Sequence, residues 1–314
     1  MQTTSVSNFF NFSANPEACP FCNTRTLRKF LANPHDMGSR NVKIGVIECE
    51  ACNFAWQWPV ARTKQDSIIY FQAEYSQKLQ NTYFDPVLRR KIAGLELDFV
   101  RKLIKTPGRL LDVGAGDGAF LQAAVDEGWE AVGLEPAAER DREDERGFRI
   151  IAGTVDDLDS AERFDIITLW DVIEHVDDPR GLIEKCVSLL NVGGYLVLET
   201  GNYQSAERIV SESDWWAYQA DHRWFFAPKI LHSLMEAAGL SDIIYADSVF
   251  RPWWKGKPNF SGPSRIIHLK SALRRPSRAF REWQKYRALQ QCAQKWPDWS
   301  GLTIITLAGR RVRA

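Results

Sequence analysis

No apolar run in the 314 residues approaches the roughly 20 needed for a membrane-spanning helix. The first 18 residues lack both the basic stretch and the apolar core of a secretory signal. These two absences lead us to expect a cytoplasmic protein. Net charge is missing as well. The 40 Lys and Arg balance 40 Asp and Glu, which removes the bulk attraction of an avid polyanion binder and disfavours nucleic acid as a partner. What remains is ordinary for a globular chain of about two domains: 45% hydrophobic and 25% charged residues, enough to bury a core.

The overall balance hides an asymmetry. Residues 251–314 carry 15 Lys and Arg against Glu282 and Asp298, a surplus of 13. Within that stretch, about 252–300 combines basic residues with Ile266, Leu273, Phe280 and Trp283 at near-helical spacing. We expect a basic helical insertion suited to peripheral contact with anionic membrane at the inner face of the cell.

Six cysteines are present, and four form two knuckles, Cys19-x2-Cys22 and Cys49-x2-Cys52. In a reducing compartment this spacing predicts tetrahedral thiolate ligation of Zn²⁺ rather than disulfides, because each knuckle aims two sulfurs at one ion. The alternating run Val42 to Ile47 suits a small hairpin between them, so residues 1–66 read as a zinc ribbon. His35, between the knuckles, is expected to face solvent, and Cys186 and Cys292 to pack.

The chain is organised around Leu110-Leu111-Asp112-Val113-Gly114-Ala115-Gly116-Asp117-Gly118-Ala119-Phe120. An apolar strand, a glycine turn and a helix start make a nucleotide-sized pocket. Gly114, Gly116 and Ala119 also satisfy a dinucleotide fingerprint, so glycine spacing does not by itself exclude NAD. Asp112 decides, since a pyrophosphate-binding turn has no use for a carboxylate there and a ligand bearing an ammonium does. Strands and helices then alternate. Strands are expected at Glu130 to Leu134, ending at Glu135, at Phe148 to Ala152, and at Phe164 to Trp170. The densely charged Arg140 to Arg146 reads as a solvated helix face. A helix is expected from Pro86 to Lys105, another to Leu190, then a turn at Asn191-Val192-Gly193-Gly194, a strand from Tyr195 to Thr200, and an aromatic and polar loop from Trp215 to Phe226. Such a loop at the carboxyl end of a sheet is where α/β enzymes hold substrate, and its rings suit a sugar or other ring.

The pattern Asp-x-Gly-x-Gly-x-Gly resembles motif I of class I S-adenosylmethionine (SAM) methyltransferases, and the resemblance extends over roughly residues 85 to 250. It implies an α/β, Rossmann-like sheet of seven strands with the last antiparallel. Residues 67–108 would be a helical cover, with Tyr70, Tyr75 and Tyr83 closing the pocket, and 109–314 the SAM domain with the basic insertion between strands six and seven. It also implies that SAM is held by Asp112, Gly114, Gly116, Gly118, Phe120, Glu135, Val155, Asp156, Trp170 and Asp171. Thr154 stands where the commonest family pattern has Asp, so adenine recognition would rest on the Val155 backbone and Asp156. Asp171-x-x-Glu174-His175-x-x-x-Pro179 resembles the segment found in methyltransferases of small molecules, which points to an oxygen or carbon acceptor. With the ribbon, Asp221-His222 is similar to the Glu-His pair of bacterial sugar methyltransferases that carry a four-cysteine zinc site, and Tyr218 to a nearby tyrosine there, with spacing different by one. His222, His175, Asp221 and Tyr218 are therefore the catalytic candidates, either histidine serving as base. The acceptor class implied is a small molecule or glycan, such as a nucleotide sugar, polysaccharide or glycolipid. O- and C-methylation both stay open. Two alternatives stand beside this: an rRNA methyltransferase using ribbon and basic tail on phosphate, and a non-catalytic interaction protein on the same fold.

Overall fold

A computed structural model describes residues 17–33, 43–59, 86–246 and 304–313. The basic insertion, His35, Tyr70, Tyr75, Tyr83 and Cys292 lie outside the described residues. Among the described residues, no helix is long and apolar enough to cross a membrane.

The large sheet has the strand order β11-β12-β9-β8-β4-β5-β7-β6. Its centre is β4 (Arg109–Val113), flanked in parallel by β5 (Glu130–Leu134) and β8 (Phe164–Trp170), with β7 (Arg149–Ile151) and β9 (Leu190–Gly201) outside them. These strands form because their apolar runs, such as Leu110-Leu111 and Ile166-Ile167, are buried on both faces, as parallel strands require. β12 (Ile304–Arg311) runs antiparallel between β9 and β11 (Leu240–Tyr245), giving the expected antiparallel last strand. Helices α1 (Pro86–Leu103), α2 (Ala119–Asp126), α3 (Pro179–Leu189), α4 (Ala206–Ser211) and α5 (Pro228–Ala237) complete the fold. α1 buries Ile92, Leu97, Phe99 and Val100, the apolar stripe read from the sequence.

Two expectations are corrected. The charged segment 140–146 is not helical: Arg142–Glu143 forms an eighth, edge strand, β6, antiparallel to β7. Gly147, at φ 96, closes the hairpin, and Asp144 accepts from the Arg146 amide at 3.0 Å, so turn chemistry outweighs the helix-compatible charge pattern. The turn expected at Asn191 to Gly194 is instead the irregular start of β9, whose pairing with β8 shifts register between Phe164 and Ile166.

The small sheet, of order β1-β2-β3-β10, holds the cysteine ribbon: β1 (Leu27–Ala32), β2 (Ile44–Cys49) and β3 (Ala55–Gln57). Its fourth strand comes from far along the chain, within the methyltransferase-like half. β10 (Trp224–Phe225), in the aromatic loop, pairs antiparallel with β3, Trp224 opposite Trp56 and Phe225 opposite Ala55. Tyr203, Trp215, Tyr218 and Phe225 pack with Ala32, Ile44, Val46 and Ala55 in one buried cluster. Those rings are consumed by packing, which corrects the expectation that their faces stand open to an acceptor. Charge crosses the same junction: Glu48 of β2 pairs with Arg28 and lies 3.6 Å from Arg208, whose guanidinium stacks 4.0 Å from the Tyr203 ring centre.

Candidate active site and cysteine cluster

The glycine loop between β4 and α2 is shaped by left-handed backbone, with φ of 77, 57 and 82 at Gly114, Gly116 and Gly118. A Cβ at Gly114 would stand 2.6 Å from Val172 Cγ2, and one at Gly118 2.7 Å from the Phe148 ring, so side chains are excluded by both conformation and space. Beside the loop, the carboxylate of Asp112 is only 3% exposed and accepts a 2.7 Å hydrogen bond from Thr168. Burial pushes its pKa up to about 7, with the Thr168 bond and the Arg89 charge pulling the other way. Glu135, at the end of β5, accepts from the amides of Gly116 at 2.8 Å and Ala137 at 2.9 Å. Burial raises its pKa against those bonds. Phe120 meets Trp170 edge-on at 5.3 Å, Val155 is buried at the head of a 3-10 turn with Asp156 beside it, and Asp171 takes φ 54 directly after β8. A non-glycine residue in that region is costly enough to mark a constrained site. The donor and acceptor set fits SAM: a cradle that a Cβ would fill, a buried carboxylate short of positive charge for an ammonium, and a carboxylate for ribose hydroxyls.

The second half of the site is built where the segment after β8 meets the aromatic loop. The Arg223 amide donates to the Glu174 carbonyl at 2.8 Å, and the Trp224 indole to the Val176 carbonyl at 2.6 Å, which fastens one segment to the other. His175 and His222 are thereby brought edge to face, with ring centres 4.6 Å apart. His175 Nδ1 lies 3.2 Å from the Asp221 carbonyl oxygen and 3.6 Å from its carboxylate. Burial works to lower the His175 pKa, but Asp221, Glu174 and Asp171 outweigh it and raise it. His222 is pushed down to about 4 by burial and by His175, despite Asp221 and a bond to the Ala217 carbonyl. Glu174 is 2% exposed, raised to about 7 chiefly by burial, and its Oε2 has no hydrogen-bond partner among the described residues. The ligand atoms of Glu174, His175 and His222 all lie within 4.8 Å of one another, a geometry that also suits a divalent cation. Glu174 is a site residue that the sequence marks only as a member of its motif. Its signal was the Asp-x-x-Glu-His spacing, which points both acidic groups towards one strand end.

Tyr218 is placed differently. Its ring is fully buried between Phe30, Trp215 and Phe225, and burial pushes its phenol up to about 12. A phenol so placed is no proton acceptor near neutrality, which corrects its expected catalytic part.

The four cysteines converge. Cys19 Sγ is 3.6 Å from Cys52 Sγ, Cys22 Sγ is 3.6 Å from Cys49 Sγ, and all four lie within 4.8 Å of one another. Zn–S bonds of about 2.3 Å imply tetrahedron edges of about 3.8 Å, so the sulfur set fits one zinc ion. Burial and the neighbouring sulfurs oppose full ionisation, raising Cys49 to about 11 while a hydrogen bond from Cys52 lowers Cys19 to about 6. A divalent cation supplies the missing charge.

Comparison with known proteins agrees with this geometry. Residues 84–244 match a family described as a methyltransferase domain. The ubiquinone biosynthesis O-methyltransferase of Cereibacter sphaeroides is 32% identical over 159 residues, 46% of this chain and 64% of that one. The enzyme of the same name from Azorhizobium caulinodans is 30% identical over 46% of this chain and 63% of its own. The match therefore spans a little under two thirds of these relatives. Among solved structures, the 1,6-didemethyltoxoflavin-N1-methyltransferase of Burkholderia thailandensis, bound to its substrate and S-adenosylhomocysteine, shares the fold at a TM-score of 0.51 and 16% identity, covering 90% of this chain and 100% of that one. With the family match spanning half of the sequence, the chain belongs to the class I SAM-dependent methyltransferases.

Proposed function

We propose that the protein transfers a methyl group from SAM to an oxygen of a small-molecule acceptor, with His175 as general base. The observation that carries this is the meeting of Asp221 and His222 with Glu174 and His175 beside the glycine loop's sheet. When bound, SAM supplies an electrophilic methyl group. Asp112, Glu135 and the glycine loop would hold it, while Phe120, Trp170, Val155 and Asp156 flank it. Nδ1 of His175 donating to the Asp221 carbonyl fixes the tautomer in which Nε2 is the basic nitrogen, the one that would take the acceptor's hydroxyl proton. Its raised pKa suits that task near neutrality better than the strongly lowered one of His222. Oxygen rather than carbon is favoured by the relatives named as O-methyltransferases. A glycan-like acceptor falls within this reading, although the burial of the loop's rings removes one argument for it.

At the cysteine cluster we assign Zn²⁺ in a structural role, on the strength of four convergent sulfurs, the number that fills a tetrahedral site. The basic stretch 252–300 is proposed to touch anionic lipid, on its charge alone. A second reading of the histidine pair has one observation in its favour. The unpartnered Glu174 Oε2 beside both imidazoles would accept a divalent cation that lowers the acceptor hydroxyl's pKa. Isotope-labelled SAM with phenolic, enolic and nucleotide-sugar acceptors, followed by mass spectrometry with and without chelator, tests the whole. Label in no product would refute the activity, and loss of label on chelation with ribbon zinc retained would favour the cation reading.

A further inference from the structure

The cysteine ribbon does more than stand beside the methyltransferase sheet, and one of its side chains reaches the acceptor side. Gln57 is the last residue of β3 and is 1% exposed. Its amide Nε2 donates to the carbonyl of Gln219 at 3.2 Å and to that of Ala220 at 3.3 Å, while its backbone amide donates to the carbonyl of Arg223 at 2.8 Å. These three bonds bracket Asp221 and His222 from both sides. We propose that Gln57 is a positioning residue for the acceptor-side histidine pair, and that metal at the four cysteines sets the pair's geometry through it.

The path from metal to pair is continuous. Cys49 donates its amide to the Phe54 carbonyl at 2.8 Å, and Phe54 stacks on Trp224 with ring centres 5.9 Å apart and planes 15° from parallel. Trp224 in turn pairs with Trp56, next to Gln57, and anchors to Val176 beside His175. With the sulfurs gathered on one ion, Phe54 is held in place and Ala55, Trp56 and Gln57 follow it as a short strand. Without the ion, the knuckle loses its cross-link, and the three-residue β3 keeps only its short pairings with β2 and β10 to fix its register. The segment from Gln219 to Arg223, which carries the Asp221 that orients His175 Nδ1, would then lose those three tethers. The inference rests on the assignment of the histidine pair to the acceptor side, but its readout is position, not turnover.

The sequence has five histidines, few enough for every imidazole to be followed by nitrogen-15 NMR. We expect Gln57→Met, equal in length but without a donor, to shift the His175 and His222 resonances while leaving His232, bonded to the Tyr245 hydroxyl at 3.0 Å, in place. S-adenosylhomocysteine affinity should be unchanged. Removing metal from the wild type with a chelator should move the same two imidazoles in the same direction. Should Gln57→Met not fold, Gln57→Glu serves, since its carboxylate would face two carbonyls with nothing to donate. Imidazoles of His175 and His222 that stay put in a folded Gln57 variant, or in metal-free wild type, overturn the proposal. Once an acceptor is in hand, kcat should fall up to about 100-fold with KM for SAM unchanged, the effect of misplacing a base by about 1 Å. Full activity in His175→Gln would instead refute the base assignment and leave Gln57's positioning part standing, so the two failures are distinguishable.

Discussion

Asp112 offers the sharpest quantitative test of how the cofactor is held. Its carboxyl is buried at the end of β4 with a pKa near 7, so at pH 6 it carries a proton in about 90% of molecules and at pH 8 in about 10%. Pairing with the ligand's ammonium requires the ionised form. Binding of S-adenosylhomocysteine should therefore expel about 0.9 proton at pH 6 and about 0.1 at pH 8, and affinity should fall about tenfold between pH 8 and 6, roughly 1.4 kcal/mol. Calorimetry in two buffers of different ionisation enthalpy counts the protons directly. Asp112→Asn should abolish the pH-dependent release and lower affinity by about 1–3 kcal/mol. Proton release that persists unchanged in the variant, or none at pH 6, would refute the pairing.

The same shift bears on stability, and its sign follows from proton counting. The unfolded carboxyl loses its proton near 3.8, the native one near 7, so between those values the native state binds more protons and stability falls as pH rises. The window is worth about 4 kcal/mol. Asp112→Asn should therefore gain on the wild type from pH 4 to pH 8 in urea denaturation. A constant difference would mean the native carboxyl is ionised throughout.

Further outcomes follow from the rest of the site. One zinc per chain is expected on metal analysis, and Cys19→Ser should lose it while keeping S-adenosylhomocysteine binding; protein purified without chelator and free of zinc would count against the ribbon assignment. Gly118→Ala should cost at least about 1–2 kcal/mol of stability, because it forces a left-handed φ and drives a methyl into Phe148, and an unchanged melting temperature would contradict the loop geometry. His175→Gln should lower kcat about 10²–10⁴-fold. Because the raised pKa keeps His175 protonated at low pH, the wild-type rate should climb through a pKa above 6.5, and the same limb in His175→Gln would rule it out as the base.

The central strands were legible because their residues report their surroundings unambiguously. Leu110-Leu111, Ala131-Val132 and Ile166-Ile167 are short apolar runs closed by glycines or acids, and burial on both faces leaves such runs few other fates. The glycine turn and the two cysteine knuckles were legible for a different reason, since fixed spacing carries their chemistry. Charge was a poorer guide. The residues Arg142 to Arg146 face solvent whether in helix or hairpin, so their polarity said nothing about the element. The choice was made by Asp144 and Gly147, which supply a turn. Likewise the pKa of Asp112 depends on burial that only the assembled sheet provides, although the residue itself stood out.

The pairing of Trp224 with Trp56 could not have been read from the chain, and the reason bears on what the ribbon is for. A two-residue strand has no period, and its partner lies in another part of the sequence. Nor does an aromatic, half-polar loop distinguish a surface for ligand from one for packing, because tryptophan and tyrosine satisfy both. The structure decides by completing the ribbon's sheet with β10 and burying Trp215, Tyr218 and Phe225 against Ala32, Ile44 and Val46. This weakens the alternative of a ribbon kept as a recruiting module on a silent fold. A recruiting module needs its apolar face outward. Here that face, and the charge of Glu48 towards Arg208, are turned inward onto the loop that carries Asp221 and His222. Cutting the ribbon away would expose several large rings and leave Gln219, Ala220 and Arg223 without the three donors supplied by Gln57, so the acceptor side should fail before the SAM side does.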